Sequence, residues 1–419
     1  MIQQTRLDNG LTILTEDMPH VRSVAVGIWV RRGSRDETEA ESGISHFIEH
    51  LLFKGTKNRN TREIAQITDA LGGHMDAFTS REFAGYYTKI VDDHLPLAFD
   101  VLADLVTQPL FDETELEKER GVIIEEIKMV EDQPDELVFE LFSESFWPHH
   151  PLGRQIAGTI ASVSNLSREK VIDYFQRIYT PQNLVITAAG NLTHDGIVEL
   201  SSKYFTGSKN SNGAMERIAP PTSADILLRH KKQLEQSHIV LGVPCPSLVD
   251  DDRFVVNVLS TVLGGGMSSR LFQTIREDRG LAYTVSAGIN AYVDAGCLSI
   301  YAGTSPEQVS DVVNLSIQEL RKMKEEKVSE EELQRSKDLV KTSIVLGLES
   351  TRQRMSRLAQ QEIFFGEISS VDEIVQEIQA VTADDVHRLA NDLFQSDKVA
   401  LTILGKVKNL KIDRSRLEC

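Results

Sequence analysis

Apolar positions in the first half of the chain follow strand spacing and helix spacing in turn. The turn Asp8-Asn9-Gly10 lies between two short segments, residues 4–7 and 11–15, and predicts a tight hairpin because Asn and Gly readily adopt positive φ. The apolar run at residues 23–30 predicts a buried strand. Further strands are predicted at residues 75–79, 83–91 and 184–189, and helices at residues 43–53, 62–71, 95–106, 113–130, 135–146 and 168–179.

The same order of elements returns in the second half, after a polar segment. Residues 206–223 are rich in Gly, Ser, Asn and Pro, a composition that is typical of a linker. After this segment, strands are predicted at residues 237–243, 283–291, 297–303 and 399–404, and helices at residues 252–263, 269–277, 307–325, 329–348, 352–365 and 383–393. The repetition predicts an α+β protein with two similar tandem domains, residues 1–205 and 224–419. Each domain is expected to be a mostly antiparallel sheet packed with helices.

The charge balance restricts the classes of partner. The chain has 45 Lys and Arg residues against 63 Asp and Glu residues, which gives a formal net charge of −18. Because nucleic acids and anionic membranes bind basic surfaces, neither is expected as a partner. No apolar run is long enough to span a bilayer, and the N-terminus has no basic region followed by an apolar core. We therefore expect a cytoplasmic protein.

One predicted helix, at residues 43–53, carries residue types that bind metal. His46 and His50 are four residues apart, so the two imidazoles share a helix face, and Glu49 lies on the same stripe. Two imidazoles on adjacent turns can bind one Zn²⁺, and a carboxylate beside them can accept a proton from a metal-activated water. This is the H-x-x-E-H arrangement of the inverted zincins. The alternative is an exposed polar helix face that contains two histidines.

A later predicted helix offers a third ligand. Glu119 and Glu126 are seven residues apart in an otherwise apolar stripe, whereas Glu125 lies on the solvated side. A buried carboxylate needs a metal, a cation or hydrogen bonds. We therefore select Glu126 as the zinc ligand and Glu119 as a carboxylate that orients a histidine or the water. The alternative is a buried salt bridge to Arg120 or Arg154.

These residues give the chain a resemblance to a known family. The chain resembles the pitrilysin/insulinase family of zinc peptidases in the motif His46-Phe47-Ile48-Glu49-His50 and in the later Glu126. The flanking segments agree, namely Leu52-Phe53-Lys54-Gly55-Thr56 and Glu119-Arg120-Gly121-Val122-Ile123. Within the family, the chain is most similar to the short-chain branch that includes the mitochondrial processing peptidase beta subunit and its bacterial homologues. The resemblance covers nearly the whole chain. It implies that Glu49 is the general base and that one Zn²⁺ per chain is bound by His46, His50 and Glu126.

The resemblance also implies functional residues outside the zinc motif. In the family an edge strand of the zinc domain pairs with the substrate backbone, and the matching residues here are Asp76, Ala77 and Phe78. Asp76 stands where the family usually has Asn. In the second half, Arg276 and Tyr283 match the family's arginine/tyrosine pair. This match implies that Arg276 holds a substrate carbonyl and that Tyr283 stabilises the oxyanion.

The leading hypothesis is a zinc endopeptidase that cleaves short or unfolded polypeptides inside an enclosed chamber, with a zinc-activated water and Glu49 as general base. The zinc motif lies in the first half of this short chain, whereas Arg276 and Tyr283 lie in the second half. We therefore expect a homodimer with two composite active sites. Two alternatives stay open at this point. One is a non-catalytic structural or chaperone-like member of the family, and the other is a catalytic subunit that requires a different partner chain.

Overall fold

The computed structural model describes residues 1–207 and 217–419, which contain both strands and helices. In these residues the strands are β1 (Ile2–Arg6), β2 (Thr12–Asp17), β3 (Ser23–Val30), β4 (His74–Thr79), β5 (Ala84–Val91), β6 (Leu184–Gly190), β7 (Ile226–His230), β8 (Ser237–Pro244), β9 (Ala282–Ala291), β10 (Gly296–Thr304) and β11 (Ala400–Gly405). The helices are α1 (Ile44–Leu52), α2 (Thr61–Ala70), α3 (Leu95–Thr107), α4 (Glu113–Asp132), α5 (Pro134–Phe146), α6 (Ile160–Ser164), α7 (Arg168–Ile178), α8 (His194–Tyr204), α9 (Arg253–Gly264), α10 (Val309–Glu325), α11 (Glu330–Gly347), α12 (Thr351–Phe364), α13 (Val371–Ala380) and α14 (Ala383–Leu393).

The two sheets repeat one topology. The first sheet has the strand order β1-β2-β6-β3-β5-β4, and the second has the order β7-β11-β8-β10-β9. Each sheet contains one parallel pair, β2 with β6 and β7 with β11, and its other neighbouring strands are antiparallel. Strands β2 to β6 correspond to β7 to β11 both in chain order and in sheet position. The predicted α+β class with mostly antiparallel sheets is confirmed, and the matching topology agrees with a duplication.

The described residues form two compact units that do not follow the sequence halves. The first unit contains Met1–Lys128, residues 154–207 and Gly347–Ile368, and the second contains Met129–Gly153, Arg217–Leu346 and Ser369–Cys419. Each unit therefore includes a helix from the other half, since α12 packs on the first sheet and α5 packs on the second. The predicted domains, residues 1–205 and 224–419, did not include this exchange. Residues 208–216 of the predicted linker lie outside the described residues.

Helix α12 is fixed on the first sheet by both apolar and polar contacts. Met355, Leu358 and Ala359 are fully buried against strands β2, β3 and β6. The Trp29 indole donates a hydrogen bond of 2.7 Å to Thr187 Oγ1, and Thr187 Oγ1 donates one of 3.0 Å to the carbonyl oxygen of Met355. Burial of these polar groups without partners would be costly, so this chain of hydrogen bonds specifies where the helix lies.

Helix α1 is held by an apolar face that packs into the core of the first unit. Ile44, Phe47, Ile48, Leu51 and Leu52 are all buried, and they share one cluster with residues of β3, β5, α3 and α4. Burial of such side chains stabilises by roughly 1.5–3 kcal/mol each. The remaining positions of the helix form a polar stripe whose orientation follows from this packing.

Several elements differ from the sequence prediction. Helices α13 and α8 are missing from it, although Val371, Ile374 and Ile378 of α13 follow helical spacing. Both helices are short and few of their residues are buried, since α13 buries only Ile378 and α8 buries only Ile197 and Ser201. Strand β7 is half exposed and was also not predicted. The predicted helix at residues 269–277 is a π-helical segment, Phe272–Glu277. Across the described part of the chain, no helix combines the length and the hydropathy needed to cross a membrane.

The backbone before α1 requires glycine. Gly43 has φ +93°, and a Cβ atom there would lie 2.6 Å from the carbonyl oxygen of Ala157. Gly43→Ala is therefore expected to lower the free energy of unfolding by about 3 kcal/mol or more, since strain and a backbone clash combine. Gly72 has φ +63° and open space around it, so Gly72→Ala should cost only about 1–2 kcal/mol. Urea unfolding of both variants tests this, and equal losses would contradict the predicted clash.

Candidate metal centre

The N-terminus of helix α1 is fixed by a buried carboxylate. Glu37 accepts hydrogen bonds from the backbone N–H of Gly43 at 2.8 Å and of Ser45 at 2.9 Å. Arg154 donates to the carbonyl oxygen of Glu37. Burial raises the pKa of Glu37 to about 7, while the bonds to Ser45 and Gly43 oppose this shift. A carboxylate at this position satisfies free N–H groups of the first turn and sets the rotation of the helix.

Two histidines of α1 and one glutamate of α4 converge on one point. His46 Nε2 lies 3.8 Å and His50 Nε2 lies 3.5 Å from Glu126 Oε2, and one ligand atom from each residue falls within 4.8 Å of the others. Two atoms bound to a tetrahedral Zn²⁺ at about 2.0–2.1 Å lie about 3.3 Å apart. The spacing and the donor set, two imidazoles and a carboxylate, therefore fit a zinc ion.

A second carboxylate orients His50. Glu119 on α4 is buried, and its two oxygens lie 3.2 Å from His50 Nδ1 and 2.9 Å from Lys54 Nζ. Because a carboxylate beside a lysine only accepts hydrogen bonds, the neutral tautomer of His50 that fits this contact has its proton on Nδ1 and its lone pair on Nε2. This tautomer is the one that binds a metal through Nε2.

Burial also keeps His46 in the form that binds metal. Desolvation, assisted by the neighbouring His50, lowers the pKa of His46 to about 4. The imidazole is therefore neutral at neutral pH, as a metal ligand must be. The Glu126 side chain is 41% exposed, so solvent reaches the cluster from this side.

Glu49 lies beside the histidines and is held by a strand residue. Thr79 Oγ1, at the end of β4, donates a hydrogen bond of 2.6 Å to Glu49 Oε2. Burial raises the pKa of Glu49, and the charges of Asp76 and Glu126 act in the same direction, whereas Thr79 and His50 lower it. The bond from Thr79 thus fixes Oε2 of Glu49, and Oε1 is the oxygen that can accept a proton from a water.

Strand β4 is the edge strand of the first sheet, next to β5. Its side chains alternate between the two faces of the sheet. Met75 and Ala77 pack toward the core that contains α1, whereas Phe78 packs against Trp29 with ring centroids 6.0 Å apart. Asp76 accepts a hydrogen bond from Tyr87 on that second face. Of the three residues predicted to bind substrate, only Ala77 therefore faces the zinc helix.

Arg276 and Tyr283 lie together in the second unit. The guanidinium of Arg276 lies 4.6 Å from the ring centroid of Tyr283 and 4.7 Å from that of Phe272. Tyr283 is on strand β9, the edge strand of the second sheet, and is 77% exposed. These two residues are therefore adjacent to each other and accessible.

The structure brings the predicted ligands together and adds residues that sequence reasoning missed. Glu125 lies outside the cluster, with a side chain that is 69% exposed and paired with Lys128 at 2.7 Å. Thr79, Lys54 and Glu37 have no role in the sequence prediction. Lys54 stands inside a segment that carries the family resemblance, and Thr79 directly follows the matched residues of the edge strand. No spacing rule reveals the polar contacts of either side chain, because these contacts cross between separate elements.

Two family models match this chain, one in each half. The family model for insulinase, peptidase family M16, matches residues 12–160, and the model for the peptidase M16 inactive domain matches residues 165–340. An uncharacterized zinc protease of Streptomyces coelicolor is 39% identical over 420 residues, which cover 99% of this chain and 91% of that protein. The uncharacterized zinc protease YmxG of Bacillus subtilis is 40% identical over 410 residues, 98% of this chain and all of that protein.

Solved structures share the fold. A protease from Helicobacter pylori matches with a TM-score of 0.90 at 23% identity, covering 96% of this chain and 99% of that chain. A chain of complex III2 from Candida albicans matches with a TM-score of 0.84 at 21% identity over the whole of both chains. At these identities the likeness concerns the fold alone. The family models and the full-length relatives confirm the family predicted from the zinc motif, and the chain belongs to the insulinase family of peptidases, peptidase family M16.

Proposed function

We propose that the protein is a zinc endopeptidase that hydrolyses short or unfolded polypeptides. The observation that carries the proposal is the position of Glu49, held by Thr79 beside the cluster of His46, His50 and Glu126. The names of the full-length relatives support zinc and proteolysis at the level of the family. We propose one zinc ion per chain, because this cluster is the single candidate metal group among the described residues.

The residues of the site divide the work of hydrolysis. Zinc bound by His46, His50 and Glu126 would polarise the scissile carbonyl and lower the pKa of a coordinated water. Glu49 accepts the proton of the attacking water and delivers it to the leaving amine. Burial raises the pKa of Glu49, which makes its carboxylate a better proton acceptor. Glu119 keeps the proton on Nδ1 of His50 and so keeps Nε2 available.

The form of the substrate follows from the edge strand. Strand β4 ends at Thr79, the residue that holds Glu49, and its outer edge has no neighbouring strand in the first sheet. An extended peptide can add to such an edge through backbone hydrogen bonds, with little demand on its sequence. Folded proteins rarely offer an extended, unpaired segment, so we propose short or unfolded chains as substrates. An enclosing chamber would add a limit on size.

We further propose that the active site is completed in a homodimer. Arg276 and Tyr283 are accessible and lie against each other, as a pair that contacts a substrate carbonyl would be. A phenol and a guanidinium can stabilise an oxyanion by donating hydrogen bonds to it. In this proposal the zinc ligands and Glu49 come from one protomer, and Arg276 and Tyr283 come from its partner.

The function is tested by three matched glutamate variants. Glu126→Gln is expected to lose both bound zinc and hydrolysis of an unstructured fluorogenic peptide, because an amide is a poor zinc ligand. Glu125→Gln, one residue away and outside the cluster, should keep both. Glu49→Gln should keep zinc and lower kcat by about 10²–10⁴-fold. Metal analysis and peptide kinetics give these results. Equal zinc loss in the Glu125 and Glu126 variants, or full turnover in Glu49→Gln, would contradict the proposal.

Thr79 is predicted to position Glu49. Thr79→Val keeps the β-branched shape that suits a strand but removes the hydroxyl, so kcat should fall about 10–100-fold with little change in KM or zinc content. Thr79→Ser restores a hydroxyl and should recover most of the activity. If serine rescued no more than valine, the hydrogen bond to Glu49 would have no role in catalysis.

The composite site predicts complementation between inactive subunits. Glu49→Gln and Tyr283→Phe should each be nearly inactive alone. When subunits exchange, each mixed dimer contains one site with both defects and one site with neither, so activity should return. Native mass spectrometry establishes that exchange has occurred. Verified exchange without recovery of hydrolysis would show that each chain completes its own site or needs a different partner.

A further inference from the structure

The outward-facing backbone groups of the edge strand can be identified from one hydrogen bond. Ser80 N–H donates to the carbonyl oxygen of Phe83 at 2.8 Å, immediately after β4 pairs with β5. In an antiparallel pair, successive residues of a strand direct their backbone groups alternately toward the partner and away from it. Asp76 and Phe78, at even positions like Ser80, therefore bond to β5. Ala77 directs its N–H and C=O to the free edge.

The N–H of Ala77 is already occupied by a side chain of the same strand. Asp76 Oδ1 accepts a hydrogen bond of 2.9 Å from Ala77 N–H, so the carboxylate folds over the free edge. Asp76 Oδ2 accepts a hydrogen bond of 2.8 Å from Tyr87 Oη. Tyr87 in turn accepts a hydrogen bond from Arg352, whose guanidinium lies 4.5 Å from the centroid of the tyrosine ring. This chain of contacts holds a negative charge at the free edge.

The Asp76 carboxylate is accessible to a peptide that approaches this edge. Its side chain is 44% exposed. Among the described residues, one basic side chain lies within ion-pair distance of it, the exposed His74, whose Nε2 is 3.9 Å from Asp76 Oδ2. The Arg352 guanidinium reaches Asp76 only through the Tyr87 hydroxyl, so in the described structure no Lys or Arg side chain forms a direct ion pair with this carboxylate. A peptide strand that pairs with Ala77 must displace Asp76 Oδ1 from the N–H, but the bond from Tyr87 keeps the carboxylate beside the peptide.

We propose that Asp76 is a specificity-determining residue that selects peptides with a basic side chain next to the paired segment and rejects acidic ones. The inference rests on the proposed function, in which substrate pairs with β4. Asp76 faces the sheet side opposite to Glu49, so it selects peptide residues that point away from the zinc helix. Because side chains of a strand alternate, the selected positions are spaced two residues apart. Opposite charges across paired strands attract, and like charges destabilise the pairing.

Hydrolysis of matched peptides tests the preference. The substrates are sets of unstructured twelve-residue peptides. Within a set, the peptides differ only in having Lys, norleucine or Glu at one position, and each set places this position at a different distance from the cleavage site. The wild type should cleave the Lys peptide about tenfold better than the Glu peptide, in kcat/KM, at one position or at positions two apart. Asp76→Asn should reduce this ratio to about twofold or less. Asp69→Asn, which makes the same charge change on the exposed face of α2, should keep the wild-type ratio.

A binding measurement separates this inference from the proposed function. The same peptides, labelled with a fluorophore, are titrated with the Glu49→Gln protein, with and without Asp76→Asn, and anisotropy reports Kd. A preference for Lys that Asp76→Asn abolishes supports the inference even if no peptide is ever hydrolysed. Asp76→Ala frees the N–H of Ala77 and should tighten binding of the norleucine peptide by about three- to tenfold. Unchanged Lys-to-Glu ratios in Asp76→Asn, by hydrolysis or by binding, would overturn the inference.

Discussion

Helix α1 has to bury one face in the core while its other side keeps three ionisable groups at the surface of that core. Its apolar side chains pack into the core of the first unit beside β4 and α7, and this packing fixes the rotation of the helix. The buried Glu37 carboxylate fixes its N-terminus as well. His46, Glu49 and His50 are therefore directed toward α4 and β4 without any interaction among themselves being required. The metal centre depends on this division between an apolar and a polar face.

Two of the buried carboxylates around the centre, Glu119 and Glu82, are compensated by ion pairs that also hold the surrounding elements in place. Glu119 lies between His50 and Lys54, so it orients an imidazole without remaining an unpaired charge. Just after the C-terminal end of β4, Glu82 forms an ion pair of 2.8 Å with Arg35, and both side chains are only 3% exposed. Loss of one partner of such a buried pair costs about 3–5 kcal/mol. The turn that follows Thr79 is thus fixed by the same kind of interaction that orients the metal ligand.

Much of the fold could be predicted from the chain, because periodicity reports burial directly. The hairpins, the long helices and the repeated order of elements all appear in the apolar pattern. The exchange of α5 and α12 could not be predicted, since an apolar helix face does not reveal which sheet covers it. The histidines were predictable because they are one helical turn apart, and Glu126 because it shares a stripe of α4 with Glu119, although its side chain is 41% exposed rather than buried. By contrast, the bonds from Thr79 to Glu49 and from Asp76 to Ala77 depend on tertiary geometry and on which backbone groups face the free edge.

The central claim is that one zinc ion lies between α1 and α4, bound by His46, His50 and Glu126. Anomalous diffraction from crystals of the zinc-loaded protein, recorded above and below the zinc absorption edge, locates the ion directly. We expect one anomalous peak per chain, about 2.0–2.1 Å from Nε2 of both histidines and about 2.0–2.2 Å from a carboxylate oxygen of Glu126. A zinc-loaded crystal with no peak at this position, or with its peak on other residues, would contradict the account.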